Sequence, residues 1–288
     1  MAAIYKRELK SYFQCMTGYV FIAFLVLFVG IYFVAYNLMS GYPYFSYTLS
    51  GMVTIVMIAI PVLTMRSFAD DRKTKTDQLL LTAPVSVPKM VLAKYLSMVT
   101  VFAVPVLISC LCPLIIKMNG TAYLKADYAS ILAFFLLGCV YIAIGMFISS
   151  TTESQIIAAV GTFGVILLLL LWPSLVNFLP TSASGSLVGF LLLWTLCVVV
   201  LHRVTSHNLL AFVLEAAGIV ALVGAYVAKK SMFDRALVNL VEKIAVTDVF
   251  QNFANNYIFD AGGLIYYASI IFLLVFLTVQ SVEKRRWS

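Results

Sequence analysis

The feature that most constrains this chain is a series of uninterrupted apolar runs, each about 20 residues long, repeated along its length. A run of that length matches the hydrocarbon thickness of a bilayer when coiled as an α-helix. Inside lipid every backbone N–H and C=O must be satisfied within the protein, so only helices and closed barrels can span it. A barrel requires segments of about 10 residues with alternating polarity. The runs here are continuous, which selects helices. Composition agrees: of 288 residues, 63% are hydrophobic and 11% charged, with a mean hydropathy of +1.03. A soluble domain is about 45–50% apolar and about 25% charged. The expected fold is therefore all-α, a polytopic transmembrane helical bundle.

Eight spans are expected, at about 18–39, 48–66, 91–116, 129–149, 155–177, 184–201, 209–228 and 263–281. The sixth is the shortest and opens on the Ser/Gly-rich stretch from Thr181 to Ser186. The apolar run that begins near Gly18 is too long for the core of a cleavable signal. Lys and Arg counts set the orientation. With the N-terminus inside, thirteen basic residues fall on the cytoplasmic side, chiefly around Lys6, Arg66–Lys94 and Lys284–Arg286, and six fall outside. An even number of spans returns the basic C-terminus to the cytoplasm. The net charge of +7 is thus a positive-inside bias and does not indicate a nucleic-acid surface. With no internal repeat or linker, residues 1–288 read as a single transmembrane domain.

Residues 1–17 precede the first span. Ile4, Tyr5, Leu9, Tyr12, Phe13 and Met16 recur at helical spacing, with Lys6, Arg7, Glu8, Lys10 and Gln14 assigned to the other face. This predicts a helix in the plane of the membrane surface, the alternative being a plain extension of the first span. Two longer polar stretches interrupt the spans: a cytoplasmic one at 67–90 and an external one at 229–262. The first carries Asp70, Asp71, Arg72, Lys73 and Thr76, followed by Leu79, Leu80, Leu81 and Pro84. About 24 residues cannot form a core of their own. Burying each leucine is worth about 1.5–3 kcal/mol, so another surface must cover them. That surface is the chain's own helices, the bilayer, or a partner protein; charges around an apolar centre favour a docking site. In the external stretch, Met232, Phe233, Ala236, Leu237, Leu240, Val241 and Ile244 mark one helical face, and Val249, Phe250, Phe253, Tyr257 and Ile258 follow. Phe250, Phe253 and Tyr257 are candidates for a gate over an exit path, with a passive cap as the alternative.

Glu215 is the one acid well inside an expected span, and so a candidate intramembrane polar site. His202 and His207 flank the same inner turn as interfacial residues. Five cysteines, an odd number and mostly within apolar runs, argue for packing and against a disulfide framework or a metal site. Thr151–Gln155 forms a polar turn in which Thr152 or Ser154 can cap the following helix. There is no Gly-x-x-x-x-Gly-Lys-Ser/Thr phosphate loop and no His-Glu-x-x-His pattern, so catalysis by this chain alone is not expected.

Three stretches together resemble a known family. Ser67-Phe68-Ala69-Asp70-Asp71 leads through Thr76 to Leu79-Leu80-Leu81-Thr82-Ala83-Pro84-Val85-Ser86, with Lys94-Tyr95-Leu96 following. Ile148-Ser149-Ser150-Thr151-Thr152-Glu153-Ser154-Gln155 is the second. Phe250-Gln251-Asn252-Phe253, Tyr266-Tyr267-Ala268-Ser269 and Glu283-Lys284-Arg285-Arg286-Trp287 form the third. In this order they resemble the membrane subunit of type 2 ABC transporters, in the branch that includes gliding-motility-type permeases. One departure stands out: Lys75 occupies a position where the family usually has glycine.

The resemblance implies a coupling helix near Asp70–Leu81 seated on a separate ABC ATP-binding subunit, which would hold ATP and Mg; no cofactor is expected on this chain. It also implies a second permease chain, an elbow helix at the N-terminus and an external lid. The family's commonest form has six spans, so the pair at 184–201 and 209–228 would be an insertion. The expected role is a permease subunit of an exporter in a bacterial plasma membrane, not itself an enzyme. The competing roles are a scaffold that anchors an ATPase-driven machine and a membrane enzyme acting on lipids.

Overall fold

The computed structural model describes residues 1–76, 86–205, 208–228 and 233–287. Leu79, Leu80 and Leu81 lie outside the described residues, as does His207. Every regular element among those described is helical. In chain order they are α1 (Ala2–Gln14), α2 (Thr17–Tyr32) continuing as a π-helical segment (Phe33–Met39), α3 (Ser46–Thr64), α4 (Ala69–Lys73), α5 (Val87–Ser109), α6 (Cys112–Asn119), α7 (Leu124–Thr151), α8 (Gln155–Val176), α9 (Ala183–Thr205), α10 (Asn208–Ala228), α11 (Ala236–Glu242), α12 (Val246–Ala254) and α13 (Ala261–Trp287).

Six helices among the described residues are long and apolar enough to cross a membrane: Thr17–Met39, Ser46–Lys73, Val87–Asn119, Leu124–Thr151, Gln155–Val176 and Ala261–Lys284. The chain is a multi-pass membrane protein. The other two expected spans are also helical, as α9 and α10. Their apolar described stretches, Ala183–Thr195 and Leu214–Tyr226, are shorter than the other six.

The chain divides into two compact units. The larger comprises Met1–Leu170 and Val246–Ser288. Its central element is α7, which packs on α3, α5, α12 and α13. Lipid tails are as apolar as leucine, so helices associate in a membrane through close packing and small residues. α7 supplies both. A side chain at Gly145 would collide with Thr64 of α3, and one at Gly138 would collide with Phe102 of α5. Leu137, Val140, Tyr141, Ile142, Ala143 and Met146 are buried around these contacts. Outer helices leave a large apolar surface, including Val20, Leu27, Ile31, Val160, Phe272 and Leu273, for contact with lipid.

The expected N-terminal helix is present as α1, packed on α5 and α2. Its buried stripe includes one residue assigned from sequence to the polar face. Glu8 is half-buried, because it lies one turn from both Ile4 and Tyr12 on the packed side. Lys6, Arg7 and Lys10 are exposed.

The smaller unit, Leu171–Ala245, contains the end of α8 with α9, α10 and α11. α9 and α10 pack against each other: the Trp194 indole N–H donates to the Leu214 carbonyl at 3.3 Å and lies over Gly218. The Trp172 indole N–H donates to the Val241 carbonyl at 2.9 Å, tying α8 to α11. Glu215 is half-buried on α10.

Candidate functional site

The larger unit has two polar ends. One gathers Glu8, Asp71, Lys94, Ser149 and Gln155, with Ser281 near the C-terminus donating to the Ser150 carbonyl at 3.4 Å. Both termini belong to this end, which its basic residues mark as the one expected in the cytoplasm.

The cytoplasmic end is built around α4. Five residues are too few for a stable isolated helix, so α4 depends on its flanks. Asp70 and Asp71 lie in its first turn and Arg72 and Lys73 in its last, matching the helix dipole. The Ser149 hydroxyl, near the end of α7, accepts from the Phe68 and Ala69 amides at 3.1 Å each. It also donates to the Met65 carbonyl at 3.3 Å. One α7 side chain thereby satisfies the donors at the start of α4. The far end is closed by threonines: Thr74 Oγ1 donates to the Asp70 carbonyl at 2.9 Å, and Thr76 Oγ1 to Asp71 Oδ1 at 3.2 Å. Between them, Lys75 has φ +57°, the left-handed conformation favoured by glycine at such a helix end.

Both acidic residues of α4 turn toward the bundle. Asp70 Oδ1 accepts from Gln155 Nε2 at 2.6 Å, reaching the first residue of α8. Asp71 Oδ2 pairs with Lys94 Nζ at 2.7 Å. Lys94, on α5, is almost completely buried, its side chain 3% exposed. Its ammonium also meets Glu8 Oε2 at 3.2 Å and donates to the Ser67 carbonyl at 2.7 Å. The ammonium thus makes two hydrogen bonds, to Glu8 and Ser67, beside its ion pair with Asp71, and the Phe68 ring lies 5.2 Å away. The clamp joins α1, the entry to α4, α4 itself and α5 through a single side chain. A polar cavity of about 80 Å³ lies beside it, lined in part by Ser11, Tyr12 and Arg66.

Of the residues singled out from sequence, Asp70, Asp71 and Thr76 hold α4 in place. Lys73, Lys75 and Thr76 are exposed, and Arg72 is half-buried. Lys94, Glu8, Ser149 and Gln155 were not singled out as site residues. A signal existed for Lys94, a lysine inside an apolar run, where a charge is costly unless paired.

At the other end, Asp127 Oδ1 accepts from the Phe45 amide at 2.8 Å, at the start of α3. Asn37 donates to the carbonyls of Tyr42 and Tyr44 at 2.8 and 2.9 Å, and accepts from Thr48 at 2.7 Å. Tyr44 stacks on both Tyr123 and Tyr257, with ring centroids 4.7 and 4.2 Å apart. Partial burial, then the nearby Tyr47 hydroxyl, pushes the Tyr257 phenol up to about 12. Tyr257 has φ +55°. Phe250 and Phe253 point into the bundle: both are buried, and Phe250 lies 6.0 Å from Phe134 of α7. Phe250 also lines a cavity of about 170 Å³ with Ser50, Thr54, Thr247, Gln251 and Asn255.

A family model described as ABC-2 family transporter protein matches residues 35–198, more than half of the chain. The chain belongs to the ABC-2 transporter family. The match includes α4, the clamp residues Asp71 and Lys94, and the α4 contacts Ser149 and Gln155. It does not reach α1, which carries Glu8, or the α12 segment with Phe250 and Phe253. It supports the family at large without singling out a gliding-motility branch. Comparison with curated proteins gives no match. As an ABC-2 family membrane subunit, the chain contains no group of three or more His, Cys, Asp or Glu able to hold a metal ion among the described residues.

Proposed function

We propose that this ABC-2 family member is the permease subunit of an ATP-driven exporter, coupled through α4 and the segment after it to a separate ATP-binding subunit. The observation that carries this reading is the attachment of α4. A five-residue cytoplasmic helix is bonded to α1 through Lys94 and Glu8, to α5 by Lys94, to α7 by Ser149 and to α8 by Gln155. A helix held at so many points moves with the ends of those helices. Force applied to it would therefore reach several spans at once. Asp70 and Asp71 transmit that force inward, while Lys73, Lys75 and Thr76 face outward toward the partner. In this reading Leu79, Leu80 and Leu81 pack against the partner, and ATP with Mg binds there. Two permease chains, each with one ATP-binding subunit, would enclose the path, in a bacterial plasma membrane. Phe250, Phe253 and Tyr257 would line or cover its outer end, and Glu215 has no assigned role in it.

The test is affinity purification of the full chain from its native host in mild detergent, followed by mass spectrometry and ATPase assay. The expected result is a co-purifying subunit with a phosphate-loop sequence and ATPase activity. Lys73→Glu with Lys75→Glu, or deletion of Leu79–Leu81, should release it. Absence of any nucleotide-binding chain, or full retention by both variants, would overturn the proposal.

A further inference from the structure

A groove of about 460 Å³ runs between α2 and α3 at the cytoplasmic end of the larger unit. It adjoins the clamp: Arg66 and Thr17 at its mouth also line the polar cavity that holds Glu8, Asp70, Asp71 and Lys94. Its walls are apolar side chains that the bundle leaves uncovered: Val20 and Phe24 of α2, and Ile58 and Val62 of α3, are 66%, 37%, 46% and 46% exposed. Residues 17–24 rise about 10 Å along the helix axis, so the groove runs about that far along an apolar helix of membrane length. Its mouth is polar. Arg66, just beyond the end of α3, is exposed and donates from Nη1 to Thr17 Oγ1 at 3.1 Å. Among the described residues no carboxylate lies within ion-pair distance of Arg66. The nearby acids are already engaged: Asp71 and Glu8 by Lys94, and Asp70 by Gln155. Thr17 also begins α2, whose first amides have no intrahelical partner.

We infer that this groove binds an anionic phospholipid of the inner leaflet, with one acyl chain between α2 and α3 and the phosphate at Arg66 and Thr17. Charge and depth together select this occupant. A guanidinium with no carboxylate in ion-pair contact suits a phosphate and can bind it through two N–H donors. A single basic residue near the membrane surface adds about fivefold to the affinity for an anionic lipid. The apolar walls directly beneath that cation match a molecule with one anionic end and a hydrocarbon tail. The volume lies within the range of ligand sites, about 300–1,000 Å³. The inference does not depend on the transport reading.

Native mass spectrometry of the full chain in detergent tests it, with palmitoyl-oleoyl phosphatidylglycerol and the phosphatidylcholine of the same chains as probes. The wild type should retain phosphatidylglycerol about fivefold better. Arg66→Gln should reduce that to the phosphatidylcholine level, while Arg66→Lys should keep most of the preference. Val62→Trp, which fills the groove from an exposed position, should lower retention of both lipids. Unchanged size-exclusion profiles and circular dichroism would establish that the variants fold. Equal retention of the two lipids by the wild type, or no effect of Arg66→Gln or Val62→Trp, would overturn the inference. So would conversion of a dimer to a monomer by Val62→Trp without lipid loss, since that result assigns the groove to a second copy of the chain.

Discussion

Lys94 Nζ lies 2.7 Å from Asp71 Oδ2, and through this pair the buried face of α5 holds the cytoplasmic helix α4. The lysine side chain is 3% exposed and that of Asp71 22%. Glu8, at 14%, brings a second carboxylate from α1, which also pairs with Arg7. Removing one member of a buried ion group is costly mainly because the others remain charged and unpaired.

Lys94→Met should therefore destabilise the protein by about 3 kcal/mol. Thermal unfolding in detergent should show a drop in Tm of about 6–12 °C. Neutralising the partners as well, in Lys94→Met/Asp71→Asn/Glu8→Gln, should recover a substantial part of that loss. A triple variant no more stable than the single one would mean that lost packing, not uncompensated charge, dominates.

Lys75 holds a left-handed backbone at φ +57°, which costs a residue with a Cβ about 1–2 kcal/mol relative to glycine. Glycine offsets part of this gain through greater freedom in the unfolded chain. Lys75→Gly should thus stabilise the end of α4 by about 0.5–1 kcal/mol, whereas Lys75→Ala should be close to neutral. Amide exchange at Thr74–Thr76 measures it, with slower exchange expected in the glycine variant alone.

Gly145 allows α7 to approach Thr64 of α3. Gly145→Ala should overpack the contact and cost about 1–3 kcal/mol. Combining it with Thr64→Ala removes Oγ1 and Cγ2 and leaves only the Cβ opposite, and the pair should be less destabilised than the sum of the single changes. Thermal melts of the four proteins in the cycle give the coupling energy; additivity would show that the helices adjust elsewhere.

At the outer end, Asp127→Ala should remove the acceptor of the Phe45 amide and destabilise the start of α3 by about 1 kcal/mol. Asp127→Asn keeps a side-chain oxygen and should retain most of that stability. Exchange at the Phe45 amide reads the effect directly.

Tyr257, pushed up to about 12 by burial and by the Tyr47 hydroxyl, should remain protonated well above the range of an exposed tyrosine. Because its folded-state value is raised, its contribution to stability is complete below pH 10 and falls as pH rises toward 12. Absorbance titration at alkaline pH, comparing wild type with Tyr257→Phe, should assign a late phenolate transition to this residue.

Much of the architecture could be read from the residue order alone. Membrane insertion depends on the summed polarity of about 20 neighbouring residues. Six expected spans correspond to helices of membrane length, and the remaining two to α9 and α10. The amphipathic N-terminal helix and helices α11 and α12 were legible for the same local reason: their apolar residues recur at helical spacing.

The arrangement of the site was not local in this sense. Glu8 and Lys94 are 86 positions apart, and Asp70 and Gln155 are 85 apart. Their pairing depends on which faces of separate helices meet, which no periodicity within one segment specifies. Hydropathy determined that the chain crosses the membrane, and charge bias set the side expected for its basic ends. Only the tertiary packing decided that the acids of α4 turn inward to Lys94 and Gln155 while Lys73 and Lys75 stay exposed, because a buried charge must find its counter-charge wherever the fold brings one within reach.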